Sequence, residues 1–122
     1  MQLGAFSISL SVSDLEASLA FYRKLGFGIV GGDASDNWLI LRNGKCTIGL
    51  FSGMFQGNML TFNPGWNSEG ETVDGFEDVR SIYNSITAEG IVPDSAVESA
   101  SGPGSFTVKD PDGNVILFDQ HV

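Results

Sequence analysis

"SDLEASLAFYRKLG", residues 13–26, and "DVRSIYNSITAEG", residues 78–90, are read together because each repeats the other. Each holds an Asp, a run of apolar residues at helical spacing, and a Gly twelve residues after the Asp. In the first, Leu15, Leu19, Tyr22 and Leu25 form the apolar stripe. Ser13 and Glu16 fit a capping box, in which hydroxyl and carboxylate satisfy the first free amides, and Gly26 supplies a left-handed stop. In the second, the stripe is Val79, Ile82, Tyr83 and Ile86, ending at Gly90. The two stretches lie 64 residues apart, just over half of a 122-residue chain.

What flanks the helices repeats as well. "FSISLSV" precedes the first and "NMLTFN" the second. "FGIVGG" and "NWLILRNGKCTIGLF" follow the first, reading as a strand and then a hairpin closed at Asn43-Gly44, a dipeptide that favours the left-handed angles of a type I′ turn. "VESA" and "GSFTVKDPDGNVILFDQ" follow the second, again a strand and a hairpin, with Pro111 setting the turn and Gly113 allowing a bulge. The expected organisation is α+β: strand–helix–strand–strand–strand, twice, in a single domain over 1–122, with one module over about 1–56 and the other over about 57–122. The Gly-, Pro- and Asn-rich "PGWNSEGETVDG", residues 64–75, reads as a long loop of the kind that often belongs to a site.

Composition bounds the function. With 42% hydrophobic residues the chain can bury a core, and no apolar run is long enough for a membrane span. The first ten residues lack the basic start of a secretion signal. One cysteine, Cys46, excludes an internal disulfide and fits a reducing cytoplasm. A net charge of -9 repels phosphate backbones, which argues against nucleic acid, and favours a cationic small molecule or simply a well-solvated surface.

Serine occupies every second position of "FSISLSV". A period of two puts Phe6, Ile8, Leu10 and Val12 on one face and Ser7, Ser9 and Ser11 on the other. Three small hydroxyls suit a face that looks into a cavity better than one washed by solvent. Pairing across Asn43-Gly44 sets Trp38 against Gly49, placing Trp38, Ile40, Arg42, Thr47 and Phe51 on that same face. Leu39, Leu41, Cys46, Ile48 and Leu50 are then expected under the helices, with Cys46 an inert core thiol. In the second module Met59, Thr61 and Asn63 face the cavity and lead to Trp66. The mixture of aromatic walls and a few orienting hydroxyls and amides is that of a small-molecule pocket; the alternative is that the aromatics fill the space and close it.

The duplication, with "VSDLEASLAFYRKLGF" after the first strand and "DPDGNVILFDQ" at the end, resembles the vicinal oxygen chelate superfamily of glyoxalase I, extradiol dioxygenases and bleomycin-resistance proteins. The resemblance implies paired βαβββ modules whose curved, mostly antiparallel sheets wrap a cup, and commonly a homodimer. Its metalloenzymes place His or Glu at four cup-facing positions. Here those positions fall on Ser7, Gly49, Met59 and Leu117, none a competent ligand for a divalent ion, so no metal or other cofactor is expected. The expected function is therefore non-catalytic: sequestration of a hydrophobic or cationic aromatic compound, as in the bleomycin-resistance branch. The alternatives are a metal-dependent lyase, dioxygenase or transferase of the superfamily, or a metal-free enzyme using Asp119 and His121 as an acid–base pair. His121 shares strand parity with Leu117 and faces the cup, or else frays in solvent at its place next to the last residue. "ASGPGS", residues 100–105, lacks the Lys and following helix of a phosphate loop and reads as a strand connection.

Overall fold

The computed structural model describes all residues, Met1–Val122. Seven strands and two α-helices follow one another as β1 (Ala5–Ser11), α1 (Leu15–Lys24), β2 (Gly28–Asp33), β3 (Trp38–Asn43), β4 (Cys46–Phe51), β5 (Met59–Asn63), α2 (Val79–Ala88), β6 (Gly104–Lys109) and β7 (Val115–Gln120). The α+β class expected from the duplication is observed. The chain forms two compact units, Ser7–Met59 and Met1–Phe6 with Leu60–Val122.

In the unit Ser7–Met59 the strand order is β2-β3-β4-β1, with β1 parallel to β4 and the other pairs antiparallel. Leu10 pairs with Leu50 and Leu39 with Leu50, so these side chains share a face. Buried Leu39, Leu41 and Leu50 pack there with Leu15, and Leu19 and Tyr22 of α1 close over them. Full burial of Leu41 and of Leu50 contributes about 2 kcal/mol each. The helix is capped by Asp14, not by Ser13: Asp14 keeps extended backbone and its carboxylate accepts the Ala17 N–H at 3.0 Å. Leu25 is the C-cap and lies exposed, because the helix ends at Lys24 and the apolar stripe runs no further.

The β3–β4 hairpin turns on Gly44-Lys45, with Asn43 opposite Cys46. Gly44 takes the positive φ of 59° and Lys45 does not, the pattern of a type II′ turn with Gly first. Moving the turn by one residue shifts the pairing by two, so Trp38 lies opposite Phe51 and Gly49 opposite Ile40. Side-chain parity is unchanged, and each residue keeps its expected face. Cys46 is the exception to the packing: paired with Asn43 at the last position before the turn, it is exposed and does not enter the core.

The unit formed by Met1–Phe6 and Leu60–Val122 has strand order β5-β7-β6. Its core joins Val79, Ile82 and Ile86 of α2 to Phe106, Val108 and Phe118, and Phe62, Phe118 and Phe106 stack in sequence at 5.8 and 4.8 Å. Asp78 caps α2 as Asp14 caps α1, and both helices are followed by a Gly at positive φ, Gly26 and Gly90. The strand expected at "VESA" is not formed. Pro93 has no N–H to give, and what remains of pairing along β6 is a clip: the Asp94 N–H donates to the Thr107 carbonyl at 2.9 Å, while the Asp94 carboxylate accepts from the Thr107 hydroxyl and the Lys109 ammonium, each at 2.9 Å. The β6–β7 turn is held by Asp110, whose carboxylate accepts the N–H groups of Asp112 and Asn114 and the Asn114 amide. No helix is long and apolar enough to cross a membrane.

Candidate functional site

Within Ser7–Met59 the face away from α1 carries the expected residues. Ser9 lies level with Gly49 and Ser11 with Phe51 on neighbouring parallel strands. The Trp38 indole stacks on the Phe51 ring at 6.2 Å and 6°, and Phe55 tilts against Phe51 at 5.3 Å. A Cβ on Gly49 would stand 2.5 Å from the Phe51 ring and 3.3 Å from Ile40 Cδ1. The room above Gly49 is thus taken by the Phe51 ring. Trp38 remains half-buried, one face on Phe51. Arg42 Nε donates to Thr47 Oγ1 at 3.2 Å on the same face.

The three serines differ. Ser9 is buried and bonded, and Ser7 is half-buried. Ser11 anchors the loop that carries Phe55: its hydroxyl donates to the Phe55 carbonyl at 2.9 Å and its N–H to Asn58 Oδ1 at 3.1 Å. Phe55 escaped the sequence reading because it lies in a loop with no periodicity. Met59, at the end of this unit, is half-buried.

The other unit gathers a second group. Thr61 is buried and bonded, and Asn63 Nδ2 donates to the Asp119 carbonyl at 2.8 Å. Leu117 is half-buried on the face of β7 opposite Phe118, level with Thr107. His121 is not frayed. Its ring lies on the Trp66 indole at 4.6 Å and 3°, and Nε2 stands 3.1 Å from Asp119 Oδ2. The loop delivers Trp66 to this place through backbone bonds, Ala5 N–H to Trp66 C=O at 3.0 Å and Trp66 N–H to Asn63 C=O at 3.2 Å. With Nε2 turned to Asp119, Nδ1 is the nitrogen left for a proton or a ligand.

A polar cluster that the sequence did not announce lies behind β7. Buried Gln120 accepts the Val79 N–H at 2.7 Å and donates to Asp78 Oδ2, Gly102 C=O and Val122 C=O. Arg80 binds both Asp78 oxygens and reaches Ser99 and Gly102, which fixes the "ASGPGS" connection. Burial works against ionisation of Asp78, but the Arg80 N–H, its guanidinium and the Gln120 amide together hold the carboxyl below its usual value. Asp33, Asp94 and Asp110 are also lowered, by bonds from Ser35, from Lys109 and Thr107, and from Asn114. All four serve turns, caps and clips.

Nowhere do three His, Cys, Asp or Glu side chains come together in a way that could hold a metal ion. A buried Glu77 carboxylate oxygen has no hydrogen-bond partner, but it is a single donor. The residues present do not fit the divalent metal of the superfamily's enzymes.

The model of the Glyoxalase/Bleomycin resistance protein/Dioxygenase superfamily matches residues 4–118, and the chain belongs to that superfamily. Among solved structures it is similar to a member of the same superfamily from Vibrio splendidus 12B01, at 20% identity and a TM-score of 0.64 over 94% of this chain and 97% of that one. It is also similar to a Legionella pneumophila protein named as an NAD-dependent benzaldehyde dehydrogenase, at 15% identity and a TM-score of 0.70 over 96% and 99%. An extradiol ring-cleaving dioxygenase from B. fuscum matches at 16% identity and a TM-score of 0.61 over 99% of this chain and 33% of that one. At these identities the likeness concerns the fold. No curated protein matches the chain.

Proposed function

We propose that this superfamily member binds a small hydrophobic or cationic aromatic compound without transforming it, acts in a reducing cytoplasm, and does so on the face that carries Trp38 and Phe51. The observation that carries the proposal is the Trp38–Phe51–Phe55 array, half-buried on a sheet face lined by serine hydroxyls; the family resemblance, which assigns the metal positions to Ser7, Gly49, Met59 and Leu117, supports it. An aromatic ring gains area and stacking there, and a cation gains from the indole face and from the net charge of -9. Thermal unfolding with ethidium and with bleomycin as probes tests this. A probe at 100 times its dissociation constant stabilises the fold by about 2.7 kcal/mol. Trp38→Ala removes that shift and leaves the free protein folded, while zinc, nickel and manganese produce no shift in either form. Unfolding of Trp38→Ala without ligand would make the indole a core plug and end the proposal, as would stoichiometric metal binding.

A second reading rests on Asp119, His121 and Trp66, where an oriented imidazole sits on an indole. Acid–base chemistry at Nδ1 is its content, and it requires a substrate whose turnover is lost in His121→Ala while stability is kept.

A further inference from the structure

On the sheet face of Ser7–Met59 that carries Trp38 and Phe51, two strand side chains are charged, Asp33 and Arg42. They stand at opposite ends of β3: Asp33 is level with Trp38, and Arg42 lies four residues further along. The Asp33 carboxylate is satisfied locally, accepting the Ser35 N–H at 3.0 Å and the Ser35 hydroxyl at 2.9 Å. Arg42 has no such partner. The ion pairs of the chain are Arg80–Asp78, Lys109–Asp94 and His121–Asp119, and the one bond Arg42 makes runs from Nε to Thr47 Oγ1. Both Nη groups are left without an acceptor on a half-buried side chain.

The Nε bond holds the planar fork in place and leaves its two outer nitrogens to bind a carboxylate bidentately. The Thr47 hydroxyl accepts from Arg42 and still has its own proton to donate. There is room on the other side, because Gly28 pairs with Arg42 and a Cβ there would meet nothing within 4 Å. An apolar surface adjoins. Ile40 lies between Arg42 and Trp38, opposite Gly49, and the Phe51 ring leans over Gly49 in the direction of Thr47. From Gly49 to Thr47 is two residues of strand, about 7 Å, a gap that a fused two-ring aromatic acid spans. Local charge agrees with this. The unit Ser7–Met59 has four acidic and four basic residues, so the net charge of -9 comes from the remainder, with eleven acidic and two basic ones.

We propose that Arg42, with Thr47, is an anion subsite, and that the compound this face takes is a hydrophobic aromatic acid, its ring against Phe51 and Ile40 and its carboxylate on the Arg42 Nη groups. The inference rests on the reading of the Trp38–Phe51 face as an aromatic-binding surface, and it fixes the charge of the ligand's polar end. A cationic ring system would set like charge against an unpaired guanidinium, so of hydrophobic and cationic aromatic compounds the former fit.

Isothermal titration calorimetry at low ionic strength, with 2-naphthoate and with the cation 2-naphthylmethylammonium, tests the proposal. The wild type binds naphthoate at least about tenfold more tightly than the cation, and added salt narrows the difference. Arg42→Met keeps the apolar stem and weakens naphthoate by at least about tenfold without weakening the cation. Arg42→Gln, which retains a donor for Thr47, serves in its place if the Met variant unfolds. Arg42→Lys recovers part of the loss, as a point charge without the fork. Trp38→Ala weakens whichever probe binds, because the Phe51 ring loses the indole it stacks on. Naphthoate binding that ignores Arg42→Met, or a preference for the cation, overturns the inference and leaves the aromatic face standing. Binding of neither probe overturns both.

Discussion

Replacing Gln120 with Leu keeps side-chain volume near β7 and removes every bond the amide makes. The Val79 N–H, in a fully buried residue at the first turn of α2, loses its 2.7 Å acceptor and has no other. Gly102 C=O keeps Arg80, Asp78 keeps both its Arg80 contacts, and Val122 C=O can turn to water. The cost is therefore dominated by one orphaned amide, about 2 kcal/mol. In a chain of this size that lowers the melting temperature by about 8 °C. Urea unfolding followed by circular dichroism measures the loss, and hydrogen exchange at Val79 should accelerate with it. Gln120→Glu offers a contrast: the acceptor for Val79 survives, but a carboxylate replaces the amide that donates to Asp78 Oδ2 at 3.1 Å, so its stability deficit should shrink on acidification. A Gln120→Leu loss below about 0.5 kcal/mol would refute the reasoning, because the N–H would then have found another partner.

Gly4→Ala should cost at least about 3 kcal/mol, since φ is +86° and the new Cβ would run into the Asn63 carbonyl oxygen, a backbone atom that cannot swing aside. A folded, equally stable Gly4→Ala variant would show that contact to be misplaced. Gly49→Ala displaces the Phe51 ring and should cost about 1–3 kcal/mol while altering the near-ultraviolet dichroism of the stacked Trp38; an unchanged spectrum would argue against the stack. The carboxyls of Asp33, Asp78, Asp94 and Asp110 are lowered in the folded state, so the stability they contribute is complete above the unfolded value of about 3.9 and is lost as pH falls through their folded values. Melting temperatures recorded from neutral to strongly acid solution should fall only below that point, and a flat profile would contradict the assignment.

The faces of the strands were legible because a period of two survives errors in pairing. Moving the hairpin centre from Asn43-Gly44 to Gly44-Lys45 changed every partner of Trp38 and Gly49 and no side-chain direction. The helices were legible from stripe and stop, and their ends less so: Ser13 and Asp14 are both good caps, and only backbone geometry chooses between them. The missing strand at "VESA" shows where local reading fails, because the fate of that segment is set by Pro93 upstream and by Arg80 from α2. Gln120 and Arg80 form a cluster across 40 positions of sequence, and such a cluster leaves no periodic trace. At the candidate site, residue types were visible at once, while the stack of Trp66 on His121 depended on a loop whose path no pattern encodes.

The clip on β6 bears on how the protein behaves in a test tube. With a sequence pI of about 4.2, the repulsion that keeps copies apart disappears on mild acidification. Colloidal protection is gone at that point, but Asp94 is still ionised, since Lys109 and Thr107 hold its carboxyl low. The guard on this strand edge thus outlasts the charge that disperses the molecules. Material that comes out of solution near the isoelectric point should be native and should redissolve when the pH is raised, whereas β-rich, irreversible deposits should require the stronger acid that opens the clip.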